Sequence, residues 1–236
     1  MRLKQIVFIL ACTVFAFPSL AQKRRVQHQP YADHNKLYHL GFHVGLHTQD
    51  LILTNNGIAA PNGEVWFAEI PNYLPGFSVG VIGDLYMNPY MNLRVVPTIH
   101  FGDKSVIFKE STSEEAKRIN MRTNCLSLPL DVKISSMRLN NCRPYILGGA
   151  YGDIELGQKK GNPLLMKPID YGIEFGLGCT FYLPLFRLSP ELKFKFGLTD
   201  ILEKNRSDLA NEADKIYTNA LSKATSRMIV LTFNFE

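Results

Sequence analysis

Three histidines on one stretch, His39, His43 and His47, are the first residues of this sequence that invite a chemical reading. In an extended chain all three face the same way. Four residues at about 3.3 Å rise put neighbours about 13 Å apart, too far to share one metal ion. They read instead as polar residues of one strand face, and no metal or other cofactor is expected. His100 and Asp103 could form an acid–base pair at the rim of a membrane-embedded, lipid-modifying enzyme. No G-x-S-x-G or comparable constellation accompanies them, so no catalytic residue is assigned. Phosphate loops and nucleic-acid stacking motifs are missing too, and neither a nucleic acid nor a small-molecule substrate is evident.

A second set of chemical groups is more regular. Asp84, Asp131, Glu174 and Glu191 stand against Arg94, Lys133, Lys193 and Lys195, each at an alternate position of a segment whose other positions are large and apolar. The stretch Asp170 to Thr199 shows the pattern best. Tyr171, Ile173, Phe175, Leu177, Cys179 and Phe181 alternate with Gly172, Glu174, Gly176, Gly178 and Thr180. After a break at Pro184 to Arg187, Leu192, Phe194, Phe196 and Leu198 alternate with Glu191, Lys193, Lys195 and Gly197. Period-two alternation of this kind fits a soluble sheet packed on one face, or a membrane barrel with its apolar face in lipid. A narrow soluble barrel fills its interior with apolar groups, so glycines and matched charges on the second face favour lipid outside.

The rest of the chain must position those groups. Residues 1–21 read as a secretory signal peptide, with Arg2 and Lys4 as basic head, Ile6 to Phe17 as apolar core and Ser19-Leu20-Ala21 as cleavage site. A lipobox ending at Cys12 is the weaker alternative, since it would leave too short a core. Residues 22–37 follow as a leader, and 38–236 as one barrel domain. Removal of Arg2 and Lys4 reduces the formal charge of +5 by two, a mild basicity that points to no nucleic-acid surface. Beyond Phe17 no run approaches the roughly 18 apolar residues of a spanning helix. Strands are read at Tyr38–His47, Phe77–Met87, Met91–Phe101, Leu126–Ile134, Arg143–Ile154, the two halves of the 170–199 hairpin, and Met228–Phe235. Tight turns at Asn88–Tyr90, Asn140–Asn141 and Pro184–Arg187 alternate with four long connections, the pattern of short periplasmic turns and longer outer loops. Tyr38, Tyr86, Tyr90, Phe181, Tyr182, Phe186, Phe233 and Phe235 gather near the short-turn ends, like an interfacial girdle. The expected fold is all-β: an eight-stranded, antiparallel, up-and-down transmembrane barrel with both termini on the periplasmic side. Cys125 and Cys142 start successive strands at opposite rims, and no disulfide is expected.

An eight-stranded barrel has a bore only wide enough for its own side chains. The eight charges named above are therefore expected to form a salt-bridged plug within the lumen. Partner contacts fall to the outer loops, with Trp66 and Phe67 in one, Ile107 and Phe108 in the next, and Ile216 and Tyr217 in the last.

The segments PGFSVGVIGDLYMNPYMNLRVVPTIHFGD, LSLPLDVK, RPYILGGAYGDIEL, DYGIEFGLGCTFYLPLFRLSPELKFKFGL and SRMIVLTFNFE resemble the PorT family, small outer-membrane barrels of the type IX secretion system. The resemblance spans nearly all of the chain after the signal peptide; the departure is from general outer-membrane practice, since many such barrels finish on an aromatic residue, whereas here Phe235 is followed by Glu236. It implies outer-membrane lipid and other secretion components as partners, and a part in cargo export. A general structural or adhesive barrel is the alternative.

Overall fold

The structure, a computed structural model, describes residues 27–29, 37–57, 66–69, 74–110, 116–156, 165–203 and 221–236. The signal-peptide reading lies outside the described residues, as does most of the leader. Alternating apolar and polar residues, bounded by Pro, Asn and Gly, build ten strands: β1 (Tyr38–Asn55), β2 (Trp66–Glu69), β3 (Pro75–Asn88), β4 (Met91–Val95), β5 (Thr98–Glu110), β6 (Ala116–Ser135), β7 (Cys142–Leu156), β8 (Ile169–Tyr182), β9 (Arg187–Gly197) and β10 (Leu221–Phe235). All pairings are antiparallel, and β1 closes the ring by pairing with β10 on one side and β3 on the other.

The ring has eight staves because β4 and β5 are one stave. Val95 faces Leu130 and Thr98 faces Ser127 in a single unbroken register against β6. The ladder lapses at Val96-Pro97, where Pro97 has no N–H to give. β2 occupies the height above the end of β3. It pairs with β5 through Ala68 and Phe108, and on its other edge the Asn55 amide of β1 accepts from Ala68 N–H at 2.9 Å and donates to its carbonyl at 3.5 Å. A short edge strand is thereby covered on both sides.

Side chains sort by face as the alternation demands. Leu40, Phe42, Leu46, Val81, Leu130, Phe175, Leu177 and Leu231 are exposed on the outside, whereas Glu174, Glu191, Lys193 and Lys195 are buried within. Rings on the outer surface stack across strands, Phe42 on Phe235 at 5.0 Å and Phe175 on Phe194 at 5.4 Å.

Several strands run well past their expected ends. β1 continues to Asn55, and β5 and β6 rise together as a hairpin to the Lys109–Ala116 pair. Along this raised wall the polarity reverses. On β5 the inward residues change from Thr98 and His100 to Val106 and Phe108, while the outward ones change from Ile99 and Phe101 to an exposed Asp103. Leu51, Val106, Phe108, Ile119, Met121 and Ala224 form an apolar cap over the polar lumen, closed on the low side by Met166, Ile201 and Leu202. The last three arrive on two short segments joined by the Met166–Leu202 bridge. Phe108 is thus no partner-facing loop residue, because it is fully buried inside this cap. Tyr182 is likewise no girdle residue: it faces inward and is buried, two positions from the inward Thr180.

The cysteines also depart from expectation. Cys142 and Cys179 form a disulfide, with Cα atoms 6.4 Å apart. Antiparallel neighbours bring the start of β7 and the end of β8 to the same rim, where Pro144 faces Cys179 and Cys142 faces Phe181. The pairing of β7 with β8 thus sets Cys142 beside Cys179 and not Cys125, against the expectation of no disulfide. Cys125 stays free and buried in the lumen wall.

Because Phe175 sits mid-belt and Ile169 at the long-loop end of the same strand, Phe175→Arg should cost about 2–4 kcal/mol and Ile169→Arg about 0–1 kcal/mol. Denaturant-dependent folding into phospholipid vesicles measures both; equal costs would contradict this placement of the hydrocarbon.

Candidate functional site: the filled lumen

The bore is crossed by ionic layers. Nearest the short-turn rim, the Arg94 guanidinium donates to Asp84 from Nε and Nη2 at 3.1 and 3.0 Å, to Glu191 from Nη1 at 3.1 Å, and to Glu236 from Nη2 at 3.0 Å. Lys133 Nζ stands 3.8 Å from Asp84 and 4.0 Å from Glu236. Tyr145 donates its hydroxyl to Glu191 at 2.7 Å, and the Asn234 amide donates to the same oxygen at 3.2 Å. One step up, Lys193 Nζ meets Glu174 at 2.9 Å, Asp131 at 3.1 Å and Glu191 at 3.4 Å. Above that, Lys195 Nζ donates to Ser127 at 2.7 Å and Asp153 at 3.1 Å. All eight charged residues singled out in the sequence therefore lie inside the ring, joined in these layers.

Glu236 and Asp153 were missed. Asp153 follows the ambiguous Gly148-Gly149-Ala150 run, which hides the facing of β7. Glu236 was legible by parity, two positions beyond the inward Asn234.

Large inward side chains in a narrow bore need bare backbone opposite them. The His47 ring lies across Gly76 of β3, where an added Cβ would stand 2.5 Å from Nε2, and the Tyr145 ring lies across Gly178 of β8 at the same distance. His43 crosses Gly80 to hydrogen-bond Thr98 at 2.9 Å, and His47 meets His100 edge to face at 4.9 Å. Among the described residues no three metal-capable groups converge on a point. His100 points into the lumen while Asp103, an odd number of residues away, is exposed on the outer face, so these two do not form a dyad.

Of the candidate contact residues, Trp66 is paired in register with Glu110 across β2 and β5, Phe67 is exposed on β2, and Ile107 is half-buried on β5. Phe108 is inside the cap, and Ile216 and Tyr217 lie outside the described residues.

A closed ring with apolar exterior and ionic interior is the physical signature of a strand-built membrane protein. The family model described as "Outer membrane protein beta-barrel domain" matches residues 20–203, most of the chain. The chain belongs to that family. It is accordingly a barrel of the Gram-negative outer membrane. Among curated proteins none matches it. Solved structures similar to it include the outer membrane protein OprG from Pseudomonas aeruginosa, at 11% identity and TM-score 0.45 over 83% of this chain and 94% of that one. The attachment invasion locus protein Ail of Yersinia pestis, in complex with the heparin analogue sucrose octasulfate, is another, at 13% identity and TM-score 0.37 over 83% and 96%. Likeness at that level says nothing about activity.

Removing one partner of a buried ion pair strands the other. Lys195→Met should destabilise the barrel by about 3 kcal/mol, and adding Asp153→Leu should recover much of that loss. Urea unfolding in detergent measures both. A double variant as unstable as the sum of the two single variants would refute the coupling.

Proposed function

We propose that this outer-membrane barrel is a non-enzymatic accessory or assembly component of type IX protein secretion, acting through its rims and raised outer wall and not as the conduit. The observation that carries the reading is the sealed bore. Arg94, Asp131 and Ser127 are at most 1% exposed at its centre, and the apolar cap lies above them. A barrel filled this way passes no folded protein, so a part in export must be played at its surface. The link to secretion comes from the resemblance of sequence segments to the PorT family. Those segments fall on every strand from β3 to β10, covering some only in part, and include every layer of the ionic network. In this reading the short turns and both termini face the periplasm, and the raised β5–β6 hairpin with β2 faces the cell exterior.

A clean deletion strain should accumulate type IX cargo in the periplasm, and re-expression should restore export. Normal cargo secretion without the gene would end this proposal. The general structural or adhesive barrel is separated by pull-down in mild detergent, where the accessory retains other secretion components. In planar bilayers the purified barrel should show no steady, large single-channel conductance, because the ionic layers leave no continuous aqueous path.

A further inference from the structure

The short-turn rim holds a contact that takes no part in the ionic lumen. His28 and Gln29, from the leader, sit against the turns β6–β7 and β8–β9. The chain then enters β1 after Leu37, whose carbonyl accepts from Tyr86 of β3 at 2.9 Å. In the ring order β1 lies opposite β7, so Gln29 and Leu37 are on opposite sides of the mouth. Arg138 is the centre of the contact. Its guanidinium lies 3.7 Å over the Tyr182 ring, which fixes its plane. From there Nη1 donates to the Gln29 carbonyl at 2.9 Å, Nη2 donates to the His28 carbonyl, and Nε donates to the Asn140 carbonyl at 2.6 Å. Asn141 Oδ1 accepts from the His28 N–H at 2.9 Å, and the Gln29 amide donates to the Leu183 carbonyl at 2.7 Å.

We propose that Arg138, Asn141 and the Leu183 carbonyl form a peptide clamp on this rim, which binds a short segment through its main chain and holds the chain's own leader in cis. Three of the four bonds to the leader engage its main-chain atoms. A flat guanidinium fork on two successive carbonyls recognises backbone, so its ligand class is a peptide and not a particular side chain. Gln29 is bound with φ at 48°, in the left-handed region and directly before Pro30. A residue there is strained, and strain of this kind persists where surrounding contacts over-determine it. The two halves of the clamp are also joined covalently. Asn141 precedes Cys142 and Leu183 follows the end of β8, and the Cys142–Cys179 disulfide ties β7 to β8 beside them. The clamp is independent of the secretion reading and of which side of the membrane the rim faces.

The test uses the full chain in detergent and a fluorescent synthetic peptide of residues 22–33 as probe. In the unaltered chain the tethered leader competes at high effective concentration, so the probe should bind poorly. Gln29→Pro fixes φ near −65° and cannot adopt the bound conformation, which evicts the leader. The Gln29→Pro chain should bind the probe at least about tenfold more tightly than the unaltered chain. Adding Arg138→Ala to that chain, or reducing its disulfide, should remove most of the gain, with the barrel's heat-resistant electrophoretic mobility confirming that it remains folded. Failure of the Gln29→Pro chain to bind the probe, or binding indifferent to Arg138→Ala, would overturn the proposal.

Discussion

Peptide groups in hydrocarbon have no water to bond, so a sheet that enters a membrane must end where it began. Here that obligation is met at β1, which gives one edge to β10 and the other to β3 over most of its length. Eight staves set a narrow bore, and the narrow bore dictates what the inward positions can be. Charges placed there lose most of their water and must find each other, as Arg94 finds three carboxylates and Lys193 another overlapping three. Rings placed there need a neighbour without a side chain, hence His47 over Gly76 and Tyr145 over Gly178. The glycines and the ion pairs are two answers to one shortage of space.

The same strands serve a second solvent. Above the belt, water lies outside the wall, and the rule for sorting faces reverses without any slip in register. β5 carries the change within one unbroken register against β6: His100 inward and Phe101 outward below, Asp103 outward and Phe108 inward above. β2 is needed at that height because β3 starts at Pro75 while β1 and β5 continue. Among the described residues the low side of the wall has no such strand, and there Met166, Ile201 and Leu202 complete the cap from connecting segments. A polar core of ion pairs and a dry core of aliphatic groups are therefore stacked along one axis.

Most of the ring was legible because a lipid-facing strand writes its orientation at every second residue. Phe175 and Lys193 are informative alone, and the tight turns gave their order. Part of what escaped depends on height and not on facing. Phe108 obeys the alternation, but whether an inward position at that level meets ions or methyl groups depends on how far the wall rises above the bilayer. The disulfide needed the rims of β7 and β8 compared as antiparallel neighbours, which places Cys142 beside Cys179 and away from Cys125. Gly148, Gly149 and Ala150 carry too little side chain to show their face, so Asp153 on the same strand went unread as a partner of Lys195. β2 has only four residues within a long connection, too few for a period to emerge.

The close of the chain shows how parity resolves an apparent exception. An aromatic followed by a carboxylate looks unlike a barrel strand that ends at the interface. In the ring the two residues simply take opposite faces. Phe235 stacks on Phe42 outside, while Glu236 turns into the bore to meet Arg94 from β4 and Lys133 from β6. Its main chain exchanges two hydrogen bonds with Arg187 at the start of β9, at 2.8 and 3.0 Å. One residue thus spans the mouth from β9 to β6, and its charge balances a guanidinium that Asp84 and Glu191 alone would leave in reach of Lys133. The closing contact of the sheet and the closing contact of the ionic lumen are made within one dipeptide, which is why neither can be altered without disturbing the other.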